Sequence, residues 1–161
     1  MCCSFNFQGR NIRPSDNATV LTAVSSPLQL QFGFRLPDGR LVINARSETV
    51  MKKPMFRNLL RYGRVVIPAD CFHEWDKSKV KYTFTLPDRQ QMFFAGLRDQ
   101  NSFVILTTAA NRSMIPVHDR MPLILEDAQG WLRDGDDYKN LLGLTPPELI
   151  RQAGIRQGSL L

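Results

Sequence analysis

The chain has 161 residues, 43% hydrophobic and 22% charged, which is enough for one domain with its own core and too balanced for general disorder. Lys and Arg number 21 against 15 Asp and Glu, and the resulting net charge of +6 favours a polyanionic partner. Three cysteines, two adjacent and none in a C-x2-C pair, exclude a disulfide framework and point to a reduced compartment. With no basic leader ahead of an apolar stretch and no bilayer-length apolar run, the expectation is a cytoplasmic monomer without a membrane segment.

Met1 to Gln8 opens the chain with Met1-Cys2-Cys3. Once Met1 is removed, Cys2 presents an amine and a thiol on adjacent carbons. Ordinary pKa values of about 7.7 to 8.0 and about 8.5 leave both nucleophiles partly available near neutrality. The amine adds to an aldehyde to give an imine, and the thiol then closes a five-membered thiazolidine. The alternative is that Cys2 and Cys3 are a small apolar pair buried at the start of a strand. Asn11 to Asp16 reads as a turn or loop holding Arg13 and Pro14, followed by strands over Ala18 to Ala23 and Leu28 to Phe34. Phe32, in F-G-F, is either an exposed ring able to stack on an unpaired base or a core aromatic.

Pro37-Asp38-Gly39 is a tight turn, and a short strand Leu41 to Ile43 delivers Asn44 and Arg46 at its end. Asn44 offers a carbonyl and an amide, and Arg46 a fork for a phosphate; alternatively Asn44 caps the next helix and Arg46 pairs with Glu48. Val50, Met51, Met55, Leu59 and Tyr62 form a helical stripe over Val50 to Tyr62, ended by Gly63. Lys52, Lys53, Arg57 and Arg61 lie mostly off it, as a solvated or a phosphate-binding face.

Val66 to Trp75 reads V-I-P-A-D-C-F-H-E-W. Cys71, His73 and Trp75 share one strand face, Phe72 and Glu74 the other. A carboxylate held against Phe72 and Trp75 loses hydration, which disfavours its charged form and suits Glu74 to give and take protons; a Glu reaching into water beside two core aromatics is the plainer reading. His73 reads as structural. Val80 to Leu86, Met92 to Leu97 and Phe103 to Thr108 form a three-strand meander whose last strand ends in Thr107 and Thr108. Ala109 to Pro116 is a helical turn or two leading to His118, the best proton donor near neutral pH, with Asp119 and Arg120 beside it to bias its charge. Met121 to Leu125 is the last strand. Asp127 to Arg133 and Pro146 to Gly154 read as short helices joined by D-G-D-D. These elements make a single β-rich α+β domain over residues 1–161, its antiparallel sheets curled into a partly open barrel.

The stretches M-C-C, N-A-R-S-E-T, P-A-D-C-F-H-E-W, A-G-L and V-H-D-R-M-P, in this order, resemble the SOS-response-associated peptidase (SRAP) family over residues 1–132. The resemblance implies that Cys2, Asn44, Glu74 and His118 are the active-site residues. It implies capture of abasic sites in single-stranded DNA as a thiazolidine crosslink, with Arg46, Arg13, Pro14, Phe32 and Thr107 contacting DNA, a peptidase activity that here would remove one residue, and no cofactor or metal. Cys3-Ser4 stands where the family has Gly-Arg, which removes one phosphate-binding cation, and the family's closing strand is not recognisable after residue 132. The alternatives are a non-covalent single-stranded DNA-binding protein and a zinc module on Cys2, Cys3, Cys71 and His73. For the latter, adjacent cysteines are poor ligands of one tetrahedral ion.

Overall fold

The computed structural model describes residues 4–24 and 26–154. β1 (Ser4–Phe7) turns at Gln8 and Gly9 into β2 (Arg10–Ile12). Both turn residues have positive φ, 49° and 79°, the twist a two-residue hairpin needs and one that Gly9 adopts without strain. β3 (Asn17–Val20) pairs antiparallel with β4 (Leu28–Phe32). A small ladder of β5 (Phe34–Arg35) and β6 (Leu41–Val42) then leads to β7 (Asn44–Arg46).

The stripe expected over Val50 to Tyr62 is two four-residue helices, α1 (Pro54–Arg57) and α2 (Leu59–Tyr62), and its phase differs from the expectation. Val50, Phe56 and Leu60 are buried, while Met51, Met55 and Tyr62 are exposed. Pro54 is the reason: it can begin a helix but not sit inside one, so a period extended across it points the wrong way.

β8 (Arg64–Ala69), β9 (Cys71–Trp75), β10 (Lys81–Thr85), β11 (Met92–Asp99) and β12 (Ser102–Ala109) follow, then β13 (Arg120–Pro122), α3 (Ala128–Leu132), α4 (Tyr138–Leu141) and β14 (Ile150–Ala153). β14 occupies the region expected as a helix. All four of its residues are exposed and Ile, Arg, Gln and Ala also suit helices, so it carries no period that marks a strand; its pairing with β10 decides the matter.

β14, β10, β9, β1 and β2 form an antiparallel five-stranded sheet in that order. The second sheet runs β3, β4, β12, β11, β8, and Leu21, just past β3, exchanges backbone hydrogen bonds of 2.8 and 2.9 Å with Val66 in β8. The outer strands thus meet and the sheet curls into a nearly closed barrel. Residues of β8 and β12 alternate between two cores. Val65, Ile67, Phe103 and Ile105 face inward with Phe5, Phe32, Phe72, Phe84 and Phe94, whereas Val66, Val104 and Leu106 face outward under Phe56, Leu60, Trp131 and Leu132. Gly96, in A-G-L, lies where an added Cβ would come within 2.9 Å of the Val104 backbone oxygen and 2.2 Å of Ile67 Cδ1, so a side chain here would press on the β12 backbone as well as on Ile67.

Arg64 ties the outer layer together. Its guanidinium donates to the backbone oxygens of Leu60, Trp131 and Arg133, satisfying carbonyls at the ends of α2 and α3, and stacks 4.3 Å from the Tyr138 ring. Among the described residues no helix is long and apolar enough to cross a membrane.

Candidate active site

Where β12 ends, β7 lies parallel on one side and β13 antiparallel on the other, with Thr107 opposite Arg46 and Pro122 and Ala109 opposite Arg120. Three separate stretches of sequence are thereby set abreast. Together with the turn before β13 they wall a hollow of about 620 Å³ lined by Asn44, Arg46, Thr107, His118, Asp119 and Arg120, with Val42, Pro54 and Met55 among its apolar side chains.

Asn44 does not cap a helix. It sits in β7, its Nδ2 donates to the Ile105 carbonyl at 3.3 Å, and its Oδ1 is buried with no hydrogen-bond partner among the described residues. An amide oxygen left so is costly unless an incoming donor completes it. Nor does Arg46 pair with Glu48. The Glu48 carboxylate takes a two-pronged bond from Arg120, Nη1 to Oε1 at 2.7 Å and Nη2 to Oε2 at 2.9 Å. This bond from Arg120 holds the Glu48 carboxyl below its usual range. Arg46 is left exposed at the rim, in no ion pair among the described residues. Thr107, expected to contact DNA, is 2% exposed and its hydroxyl accepts from Arg120 Nη2 at 3.0 Å, so it braces the wall as well as lining it.

His118 ends a turn that is tightly fixed. The Asn111 side chain donates to the carbonyls of Pro146 and Pro147 at 3.0 and 2.9 Å, and Ser113 Oγ donates to Asn111 Oδ1 and accepts from the Leu149 amide. Asn111 and Ser113 went unnoticed in the sequence, although N-x-S is a common side-chain turn signal. His118 Nδ1 is 3.0 Å from the Arg120 amide and 3.1 Å from Asp119 Oδ1. One ring nitrogen cannot serve both. Unprotonated, Nδ1 accepts from Arg120; protonated, it donates to Asp119, so proton gain and loss at this ring each have a partner in place.

Glu74 does not line this hollow. It is 5% exposed on β9, and its Oε1 accepts from the Trp75 amide at 3.2 Å. Trp75 lines a second hollow of about 660 Å³ that shares His118 and Asp119 with the first. Ser4 lies across from His73, so β1 begins beside Glu74. Cys2 and Cys3 fall outside the described residues. Arg13 and Pro14 are outside the hollow as well; their loop leaves β2 at the end of the sheet where β1 begins, and Asp16 Oδ2 accepts from the Arg13 amide at 2.9 Å. Phe32 is a core residue and not a stacking platform. It is fully buried, stacked 5.2 Å from Phe103 and edge-on to Phe5, because β4 is covered on that face by β1.

His73 is 6% exposed; its Nδ1 is 3.0 Å from Thr83 Oγ1 and its Nε2 3.2 Å from Asn6 Oδ1, with Cys71 Sγ at 4.0 Å. Burial, and then the Lys81 charge, lower its pKa from 6.5 to about 4. In the unfolded chain the ring protonates near its ordinary value, so between those limits the unfolded state binds more protons. Stability should therefore be level above about pH 6.5 and fall by up to about 3 kcal/mol as pH drops toward 4. Urea midpoints taken across this range should show the loss, and His73→Gln should flatten it; an equal slope in the variant would assign the loss elsewhere.

The profile of the SOS response associated peptidase family matches residues 8–152. The chain belongs to this SRAP family. The abasic site processing protein YoqW of Bacillus subtilis is 34% identical over 162 residues, covering 82% of this chain and 71% of that protein. The abasic site processing protein YedK of Escherichia coli is 34% identical over 105 residues, 57% of this chain and 47% of that one. In fold, a crystal structure of a protein from Bacteroides thetaiotaomicron superposes with a TM-score of 0.80 at 20% identity, covering 91% of this SRAP chain and 78% of the other.

Proposed function

We propose that this SRAP chain recognises abasic sites in single-stranded DNA and captures them covalently on Cys2. The observation that carries the reading is the assembly of Asn44, Arg46, His118 and Arg120 around one hollow at the end of β12, in a family whose relatives are named for abasic site processing. An abasic deoxyribose is mostly ring-closed. His118 gives a proton to the ring oxygen as the bond from C1′ to that oxygen breaks, and the C1′ hydroxyl gives up its proton to solvent, leaving the open aldehyde. After Met1 has been removed, the Cys2 amine adds to the aldehyde carbon, water leaves as the imine forms, and the thiol adds to the same carbon while the nitrogen takes a proton. Glu74 moves protons at the amine and the departing water. The Asn44 oxygen supplies the acceptor that holds the amine or a sugar hydroxyl. Arg46 holds a flanking phosphate. Positioned proton transfer of this kind contributes typically about 100- to 10,000-fold. The peptidase in the family's name corresponds here to removal of the single residue Met1.

The test is incubation of the protein with an oligonucleotide bearing one abasic site, and with its undamaged counterpart, followed by a denaturing gel after heating. A slow band with the abasic strand alone is expected. Equal retention of both strands under native conditions, with no band surviving heat, would leave a non-covalent DNA-binding protein instead.

A further inference from the structure

The net charge is concentrated in one place. Residues 46–64 hold six of the 21 Lys and Arg and one of the 15 Asp and Glu, so five of the six net positive charges fall within that segment. Its single acid, Glu48, is taken by Arg120 from another strand, and its Arg64 is turned onto backbone carbonyls. Arg46, Lys52, Lys53, Arg57 and Arg61 are exposed and in no ion pair among the described residues. A surface that leaves this many like charges uncompensated repels itself, and a polyanion relieves it.

Some of these cations border two separate hollows. Arg46 and Lys53 border the candidate active site, α1 and α2 carry Arg57 and Arg61 away from it, and Arg61, Tyr62 and Arg98 border a smaller hollow of about 160 Å³ with Asp134, which lies close to Arg64. At the helical rise the segment from Lys53 to Tyr62 covers roughly 14 Å, the reach of a few nucleotides of a single strand. At the smaller hollow Tyr62 is 80% exposed, with the Arg61 guanidinium 5.6 Å from its ring centre. It contributes nothing to either core. An exposed ring backed by an arginine is a platform on which an unpaired base stacks.

We propose that the outer face of α1 and α2, from Lys53 to Tyr62 and Arg98, is a second contact surface for the single strand that enters the active site, holding phosphates on Lys52, Arg57 and Arg61 and stacking a base a few nucleotides from the lesion on Tyr62. The identity of the lesion rests on the function proposed above; the surface itself requires only a single-stranded polyanion.

The experiment uses the whole protein and three abasic oligonucleotides, with about two nucleotides on each side of the lesion, or with one arm, 5′ or 3′, extended to about eight. The unaltered protein should bind one of the long-armed strands more tightly than the short one. In Arg57→Glu/Arg61→Glu and in Tyr62→Ala this gain should shrink by about tenfold, with a salt slope lowered by about 0.7 for each phosphate no longer held, while capture of the short strand keeps its rate. The substituted side chains are exposed, and an unchanged melting temperature confirms the fold. Unaltered affinity for both long-armed strands would overturn the proposal, as would equal loss on the short strand. Undamaged strands of the same lengths separate the two readings. If no covalent band ever forms but the arm-dependent gain and its loss persist on undamaged DNA, the surface stands and the capture reading fails.

Discussion

Cys2→Ala should abolish the heat-stable adduct with abasic DNA, whereas Cys3→Ala and Cys71→Ala should keep it. Only a residue with a free α-amine and a thiol on the next carbon can close a thiazolidine, and the amine of Cys3 is tied up in a peptide bond. Cys71 is disqualified by its surroundings too. It is half-buried on β9 and burial pushes its thiol up, so little thiolate is present near neutral pH. The alanine variant still carries an α-amine and should still form an imine, which reverses on heating but is trapped by borohydride. Reduction would thus restore a band in Cys2→Ala and change little in the unaltered protein. An unreduced, heat-stable band in Cys2→Ala would move the nucleophile elsewhere.

The second large effect separates His118 from Glu74. His118 sits on a turn braced through Asn111 and Ser113, with Asp119 and the Arg120 amide both within reach of Nδ1, an arrangement suited to losing a proton to the sugar oxygen and regaining it. Glu74 is buried on a strand beside the start of β1, the strand that follows Cys2 in the chain. His118→Ala should slow capture of a natural abasic site by about 100-fold or more and spare capture of a simple aldehyde that needs no ring opening. Glu74→Gln keeps the shape but not the proton transfer, and should slow both reactions and any reversal of the adduct. Rates from denaturing gels between pH 5 and 8 would decide. Equal slowing of both substrates by His118→Ala would remove it as the ring-opening acid.

The barrel strands are legible in the sequence because burial on two faces gives unbroken apolar runs, as in Val65 to Ile67 and Phe103 to Leu106, and because P-D-R and D-Q-N mark their turns. The site motifs are legible as isolated pieces, since each is short and contiguous in sequence. Which piece meets which is not. Glu48 has Arg46 as its near neighbour in sequence, but parallel pairing of β7 with β12 and antiparallel pairing of β13 with β12 bring in Arg120 from 72 positions away. The hairpin of β1 and β2 is hidden at its second strand, because three residues are too short to show alternation. β14 is hidden for the opposite reason to the core strands: with no buried residue, it shows no period at all, and only the free edge of β10 calls for it. Phe32 shows a further limit, since an aromatic before a glycine suits a binding surface and a packed core equally until its neighbours Phe5 and Phe103 are in place.

The most direct measurement is the mass of the N-terminal peptide. The protein is incubated with abasic single-stranded DNA, the DNA is digested with nuclease and the protein with a protease, and thiols are alkylated before mass analysis. Covalent capture predicts a peptide that begins at Cys2, carries the sugar remnant less one water, and resists alkylation at Cys2 while Cys3 is alkylated. A remnant on a lysine or on Cys71, or a peptide that begins at Met1 and is alkylated at both cysteines while a heat-stable adduct is present, would contradict it.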